Sequence, residues 1–357
     1  MALRAKILGS GAFLPPFPIT NQVIGEFFPK PQSEEWTPSW VERKLGIKER
    51  RNSFDFNLGM MRSGYYDLDN AFAAAVFALE DANIEAKEID RVLYATSTPE
   101  YLMPDPATML HLRLGLNEDT PALGATAVGC GGFIYILDIA DSEIRAGKYR
   151  TILLVGSVSV GPYIQAVNSL EDPQERMVLL GKNLINAYIF GEGAGSLILR
   201  AEEGEDGILF TYAGAHGKDN PVIFEGGGSQ NPATHDTVHR GLHRFNMNVG
   251  TVKNVGPSHF HHTIRSILNR SGMTLKEIDH FVFHQVNYRL LKRIAHGLGI
   301  PWEKVIVHVD HYGNLDTATL PVAFHEGKES GRIKKGDLVL FAAIGAGWQY
   351  GSAIVRV

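Results

Sequence analysis

The chain repeats itself, and this constrains its fold more than any other feature. Lys87-Glu-Ile-Asp90, placed before a predicted strand, returns as Lys276-Glu-Ile-Asp279 before another. Leu114-Gly-Leu116 at a helix end returns as Leu298-Gly-Ile300, and Gly195-Ser-Leu-Ile-Leu-Arg200 returns as Gly351-Ser-Ala-Ile-Val-Arg356. Three motifs in one order mark two related halves, 1–200 and 201–357, each about the size of a domain. Strands alternating with helices predict an α/β fold with mainly parallel sheets and helices on both faces. Two such halves pack best through shared helices, with equivalent turns facing each other. One offset carries Gly115 to Gly299 and Gly147 to Gly331, and it carries Cys130 to Asn314. Asn314 lies in the turn His311–Thr317, after a predicted strand Val305–Val309. The duplication therefore predicts that Cys130 and Asn314 meet.

The local sequence around Cys130 has its own chemistry. Pro121–Ser157 reads as strand, tight turn, helix, strand, with Cys130 the last residue before the helix. Phe133, Leu137, Ala140 and Ile144 recur at helical spacing, and Gly147 closes the helix. Thr151–Val155 is a continuous apolar run, as in a strand buried on both faces. A thiol at a helix N-terminus faces unpaired N–H groups and the positive end of the dipole, which favour the nucleophilic thiolate and predict a lowered pKa. Gly129, Gly131 and Gly132 leave room for a substrate carbonyl and free the Cys130 N–H to bind an oxyanion. Taken alone, the same residue also reads as a buried structural cysteine.

Elsewhere, Asn21 is expected to cap a short helix, Glu34–Leu45 reads as a second, and Asn52–Tyr66 reads as an irregular mobile loop. Asp67 and Asp69 open an Ala- and Phe-rich, buried helix through Ala82. Asp105-Pro106 opens another that ends at Gly115. Gly161–Lys182 reads as a polar flap. His284 closes a predicted strand, at the sheet rim where open α/β folds bind ligands, and Asn287 can cap the next helix. By itself His284 reads equally as a packed histidine bonded to backbone. The turn Ile344-Gly-Ala-Gly-Trp348 offers further N–H groups for an oxyanion hole. Gly191-Glu-Gly-Ala-Gly195 precedes a strand, so it does not read as a nucleotide fingerprint. His259, His261 and His262 fall on one predicted helix with no Cys or carboxylate to complete a metal set.

Net charge is −5 and the pI about 6.3, so nothing argues for nucleic acid. The one cysteine allows no internal disulfide and no two-thiol mechanism, and fits a reducing cytoplasm. The N-terminal apolar run is too short for a signal peptide, and no run is long enough to span a membrane.

Five motifs in order carry a family resemblance: Val128-Gly-Cys130-Gly-Gly-Phe133, Phe190-Gly-Glu-Gly-Ala-Gly195, His284-Gln-Val-Asn287, Gly313-Asn314 and Gly345-Ala-Gly-Trp-Gln-Tyr-Gly-Ser352. Together with Trp40–Arg50 and Gly226–Ser229, the sequence resembles β-ketoacyl-ACP synthase III, the initiating ketosynthase of the thiolase superfamily. The resemblance implies a five-layered αβαβα thiolase-like fold built from two duplicated halves, a homodimer, and a Cys130-His284-Asn314 site. It implies decarboxylative condensation of an acyl thioester, on CoA or an acyl carrier protein, with a malonyl-type thioester through an acyl-cysteine. Cys130 and Gly347 N–H groups would form the oxyanion hole, while His284, which can also serve as a base, and Asn314 would hold the malonyl carbonyl. No metal or other cofactor is implied beyond CoA or phosphopantetheine thioesters as substrates. Trp40, Lys44, Met103, Phe245 and Asn287 are the expected substrate contacts. Arg289, Lys292 and Arg293 are candidates for docking an acidic carrier protein, or else a solvated helix face. Lys44 and Leu45 replace the usual arginine and threonine, and Met103 replaces a phenylalanine that often enters from the partner subunit. These departures point to an unusual starter and a specialised, polyketide-type pathway as much as to fatty-acid priming. Non-condensing acyl transfer to a hydroxyl or amine, and hydrolysis, stay open on the residues alone.

Overall fold

The computed structural model describes residues 3–28, 34–168, 171–218, 222–243 and 245–357. The first sheet takes its strands from β1 (Leu3–Phe13), β2 (Arg91–Thr96), β3 (Ala122–Thr126), β4 (Thr151–Val158) and β5 (Gly193–Glu203), in the order β1-β5-β4-β2-β3. The second is built from β6 (Gly207–Ala215), β7 (His280–Phe283), β8 (Leu338–Ile344) and β9 (Gln349–Arg356), in the order β6-β9-β8-β7.

Helices fill three layers around these sheets. On the outer face of the first sheet lie α1 (Asp67–Ala82) and α2 (Pro106–Leu114). Between the sheets run α3 (Gly132–Arg145) and α6 (Thr319–Glu329). Outside the second lie α4 (Val249–Ser271) and α5 (Tyr288–Leu298). The result is the expected αβαβα stack. Its central core joins Phe133, Leu137, Ala140 and Ile144 of α3 to Leu320 and Phe324 of α6, all buried against both sheets. Burying each such side chain contributes about 1.5–3 kcal/mol.

The alanines of α1 have a packing reason. A Cβ on Gly9 of β1 would come 2.6 Å from the Ala78 carbonyl oxygen and 2.7 Å from the Ala82 Cβ, so only small residues let helix and strand approach this closely. Ala71, Ala75 and Ala78 are fully buried, whereas Phe77 is 43% exposed. The helix is therefore buried through its alanines and not through its phenylalanines.

The structure corrects several expectations. The sheets are mixed: β4, β2 and β3 are mutually parallel, as are β7 and β8, but β5 runs antiparallel to both β1 and β4, and β9 runs antiparallel to β6 and β8. The β8–β9 link is only the short turn through Ala346–Trp348, too short for the crossover that a parallel pair needs. Val305–Val309 is not a strand. Val305 makes one parallel bridge to Phe281, and a short helix starts at Val309. Thr20, not Asn21, caps the first helix, Asn21–Phe27, and the second spans only Pro38–Leu45, capped by Thr37. Asn52–Tyr66 carries a small strand pair, Phe54–Asp55 with Met60–Met61. It is pinned by the fully buried Glu192, whose carboxylate accepts from the Ser53 and Gly161 N–H groups. The Gly161–Lys182 segment is not an irregular flap. It forms the helix Gly161–Asn168 and most of Pro173–Ile189, with Ile164 and Val167 buried, while residues 169–170 lie outside the described residues.

Candidate active site

Cys130 sits where the two halves touch. β3 ends at Thr126, Ala127 takes a left-handed φ of 61°, and Gly129 one of 64°. Cys130 then occupies the 3-10 turn Gly129–Gly131, immediately before α3. The turn after β8 lies directly on this loop. A Cβ on Gly345 would be 3.0 Å from the Val128 carbonyl oxygen and 3.1 Å from the Cys130 nitrogen, so a side chain there would displace the cysteine loop. Gly347, with φ 68°, follows in the same turn.

His284 leaves β7 with its N–H still bonded to the Ala342 carbonyl at 2.8 Å. The next residue, Gln285, clamps the segment leading to Asn314. Its amide donates to the Ile306 carbonyl at 2.9 Å, and its oxygen accepts from the His308 and Val309 N–H groups at 3.0 and 3.1 Å. Asn314 is stitched to the first half: its N–H donates to the Ile189 carbonyl at 2.8 Å, and its carbonyl accepts from Gly191 at 3.0 Å. The Asn314 Oδ1 accepts the Asp316 N–H at 2.8 Å, so the amide is held with Nδ2 as the donor turned toward Cys130.

The electrostatics depart from the sequence reading at two points. The Cys130 thiol is pushed well above its usual range, not lowered. Cys130 as a residue is half-buried, but its sulfur is turned inward, and this desolvation is the main cause and the nearby Asp316 carboxyl the next; together they outweigh the Cys130 N–H and the Asn314 side chain, which favour the thiolate. Burial, with His308 nearby, pushes His284 down to about 3. The ring is therefore neutral near neutral pH and too weak a base to hold a proton there, against the expectation that it doubles as one. It is 1% exposed, and neither ring nitrogen makes a well-aligned hydrogen bond among the described residues; the Asp316 backbone beside it favours the protonated ring, but burial outweighs this. Asp316 is itself buried, and burial raises its carboxyl.

These groups line one cavity of about 620 Å³, which holds Cys130, His284, Asn314, Gly347 and Phe245 together. Its wall is aromatic: Phe245 lies 5.7 Å from Tyr163, 5.4 Å from Phe224 and 5.9 Å from Phe190, centroid to centroid. Of the five non-glycine residues with positive φ among the described residues, three line this cavity: Ala127, Asp316 (47°) and Trp348 (50°). Left-handed backbone at such residues costs about 1 kcal/mol or more each, and strain of this kind gathers at functional sites.

The other singled-out residues lie off the cavity wall. Trp40 leans on Trp36 at 4.8 Å, and Lys44 is exposed on the same helix, Pro38–Leu45. The C-cap of that helix, Gly46, packs against Tyr288 at the start of α5. Met103 is 86% exposed, although its neighbour Leu102 reaches the cavity. Asn287 caps α5 by accepting the Leu290 N–H at 2.9 Å. On α5, Arg289 is exposed, Lys292 lies 5.7 Å over the Trp302 ring, and Arg293 donates to the Lys253 carbonyl at 2.6 Å. His259, His261 and His262 lie on α4 with separate partners: the Trp348 ring, the Ile294 carbonyl and Tyr212. Sequence reasoning passed over Asp316, Ser97 and Tyr163. The available signal was an ionisable residue two positions after Asn314, inside the turn already chosen.

Comparison with known proteins follows the same geometry. Residues 126–217 match the family model for 3-oxoacyl-[acyl-carrier-protein (ACP)] synthase III, and residues 268–357 match the model for its C-terminal part. Over 355 residues the chain is 33% identical to β-ketoacyl-[acyl-carrier-protein] synthase III of Rickettsia bellii, covering 99% of this chain and all of the relative. It is 34% identical to the enzyme of that name from Rhodospirillum centenum, over the whole of both chains. The solved synthase III from Thermus thermophilus superposes with a TM-score of 0.81 at 29% identity, covering 99% of each chain. OleA of Xanthomonas campestris, at 21% identity and TM-score 0.82 over the whole of both chains, shares the fold.

Proposed function

This chain belongs to the 3-oxoacyl-[acyl-carrier-protein] synthase III family, and on that premise we propose that Cys130 carries the acyl group while His284 and Asn314 bind the malonyl carbonyl. The enzyme is an acyltransferase. It condenses an acyl thioester with a malonyl thioester, with loss of carbon dioxide, to give a 3-oxoacyl thioester in fatty-acid biosynthesis.

Cys130 Sγ attacks the acyl carbonyl, and the Cys130 and Gly347 N–H groups receive the oxyanion. The donor thiol leaves. The malonyl carbonyl oxygen then meets two neutral donors, an imidazole N–H of His284 and the Asn314 Nδ2–H. Charge develops on that oxygen as carbon dioxide departs, so fixed donors stabilise the enolate more than the bound ester. The carbanion attacks the acyl-cysteine and releases the product. The observation that carries this reading is the buried, neutral His284 ring, which makes no well-aligned hydrogen bond among the described residues and lines one cavity with Cys130 and Asn314. An unpartnered polar group in such a place costs about 1–3 kcal/mol, which a substrate oxygen relieves.

Partners follow from the same reading. An acidic carrier protein would meet Arg289, Lys292 and Arg293 on α5. A homodimer would cover β3, the edge strand with Leu123 43% exposed, together with Met103. No helix among the described residues is long and apolar enough to cross a membrane, and we place the enzyme in the cytoplasm. The departures at Lys44, Leu45 and Met103 favour an unusual starter.

The test separates loading from decarboxylation. His284→Ala and Asn314→Ala should still take an acyl group on Cys130, seen as a mass shift of the intact protein. Carbon dioxide release from a malonyl thioester should fall by about a hundredfold or more. Wild-type decarboxylation in Asn314→Ala would refute the assignment.

A further inference from the structure

Loading Cys130 requires a base for the thiol proton and an acid for the departing thiolate. Neutral His284, at about 3, is suited to neither. The one carboxyl among the described residues lining the cavity is Asp316. It is 4% exposed, and its Oδ1 is buried without a hydrogen-bond partner among the described residues. Its backbone is fixed on both sides: its N–H donates to Asn314 Oδ1, and the Thr317 hydroxyl donates to the Ala95 and Ser157 carbonyls at 3.0 and 2.8 Å. The thiol and this carboxyl are each other's main ionisable neighbour.

We infer that Cys130 and Asp316 share one proton: the Asp316 carboxylate takes it as Sγ attacks the acyl carbonyl, and the resulting acid gives it to the departing thiolate. This rests on Cys130 being the acylated residue. One Sγ–C bond forms, the donor's C–S bond breaks, and the donor leaves as a neutral thiol, with no oxidation. The exchange adds no charge to the site. The carboxylate raises the thiol, so two anions side by side are disfavoured, whereas thiolate beside acid carries the same single negative charge as thiol beside carboxylate. Few other groups face the pair. Among the described residues they are the Ser97 hydroxyl and the Asn314 amide, with the neutral His284 ring and the Tyr163 phenol on the same cavity wall. The buried Asp67, at the start of α1, is held by Tyr94 and Thr96 of β2, by Thr98 just beyond it and by Ser157 of β4.

The test compares two reactions of the same sulfur. Alkylation by iodoacetamide needs a thiolate but no acid, because iodide leaves unprotonated. Acyl loading from an acyl-CoA needs both. Asp316→Asn keeps the shape, and asparagine tolerates the left-handed backbone. In wild type, once Asp316 is ionised, the thiolate–acid fraction does not change with pH, so alkylation should be flat until the thiol itself titrates. In Asp316→Asn it should climb about tenfold per pH unit between pH 7 and 9 and exceed wild type at pH 9. Loading of the variant should fall by about a hundredfold. If both reactions speed up, Asp316 only repels the thiolate and the proposal fails. If both are slower than wild type even at pH 9, it only supports the loop, and the proposal fails too. Wild-type protein that takes no acyl group on Cys130 overturns the assignment of the nucleophile as well. Should Asp316→Asn not fold, Asp316→Gly, which suits a φ of 47°, carries the same comparison.

Discussion

Two buried imidazoles make the stability of this protein depend on pH, and the size of the effect can be worked out. Burial first, with His308 adding to it, depresses His284 to about 3, and burial depresses His308 to about 4. Unfolded histidine titrates near 6.5. Below that value the unfolded chain binds protons that the folded rings refuse. The stability contributed by the neutral rings is complete above pH 6.5 and is lost as pH falls towards each folded value. At pH 5 the loss is one and a half units for each ring, about 2 kcal/mol apiece at about 1.4 kcal/mol per unit. Asp67 works the other way. Burial lifts it to about 6, so between pH 7.5 and 5 the folded state retains a proton that the unfolded state sheds, and about 1.4 kcal/mol is regained. Glu192 and Asp316, also raised by burial, act in the same direction as Asp67. His284, His308 and Asp67 together should therefore cost wild-type protein about 3 kcal/mol over that interval, and the partly buried His259, His261 and His325, also held down by burial, add to the loss. His284→Gln removes one ring that has no hydrogen bond to lose. Unfolding in guanidinium at pH 7.5 and at pH 5 should show the variant losing about 2 kcal/mol less than wild type. Equal losses would mean that the ring is not held neutral by burial, and the account of it as a neutral donor would fall.

Two further outcomes follow from the same site. Cys130→Ala, incubated with an acyl-CoA that adds one acyl mass to wild type, should keep its unmodified mass, and stoichiometric acylation of the variant would place the nucleophile elsewhere. Arg289→Glu should raise the KM for a carrier-bound substrate by up to about fivefold, an effect that fades in salt, and leave a short pantetheine thioester unaffected; equal losses for both substrates would assign Arg289 to the fold.

The repeat carried the fold because duplication constrains long-range placement, which local patterns do not. The offset that pairs Cys130 with Asn314 predicted that they meet, and both line one cavity. Val305–Val309 misled for a physical reason. An apolar, β-branched run at a sheet edge looks like a strand, but only Val305 bridges Phe281, and Gln285 ties His308 and Val309 into the turn instead. The Asn52–Tyr66 segment read as loose because its anchor, Glu192, is 139 residues from Ser53 and looked like part of a glycine turn. The Cys130 thiol was misjudged because a helix terminus is visible in sequence while burial is not. Asp316, which raises that thiol further, was visible as an ionisable residue in the chosen turn, but its effect on the thiol shows only once the two turns are seen together.

The charges around this cavity explain why neutral groups suit the decarboxylation step. Among the described residues that line it, none is Lys or Arg. A cation there would bind the malonyl carboxylate before reaction as well as the enolate after it, and equal stabilisation of both accelerates nothing. The His284 ring, kept neutral by burial, and the Asn314 amide, oriented by the Asp316 N–H, act on the carbonyl oxygen where charge appears only as carbon dioxide leaves. The same burial leaves the cavity with no base stronger than a carboxylate. An aspartate beside the cysteine is then the group able to accept the thiol proton without adding a charge, because it exchanges one anion for another. The backbone strain at Ala127, Asp316 and Trp348 falls on the three turns that present these groups. Relaxing any one of them would separate the thiol from its carboxyl or the oxyanion donors from the thiol, so the strain is maintained by the packing of the two halves against each other.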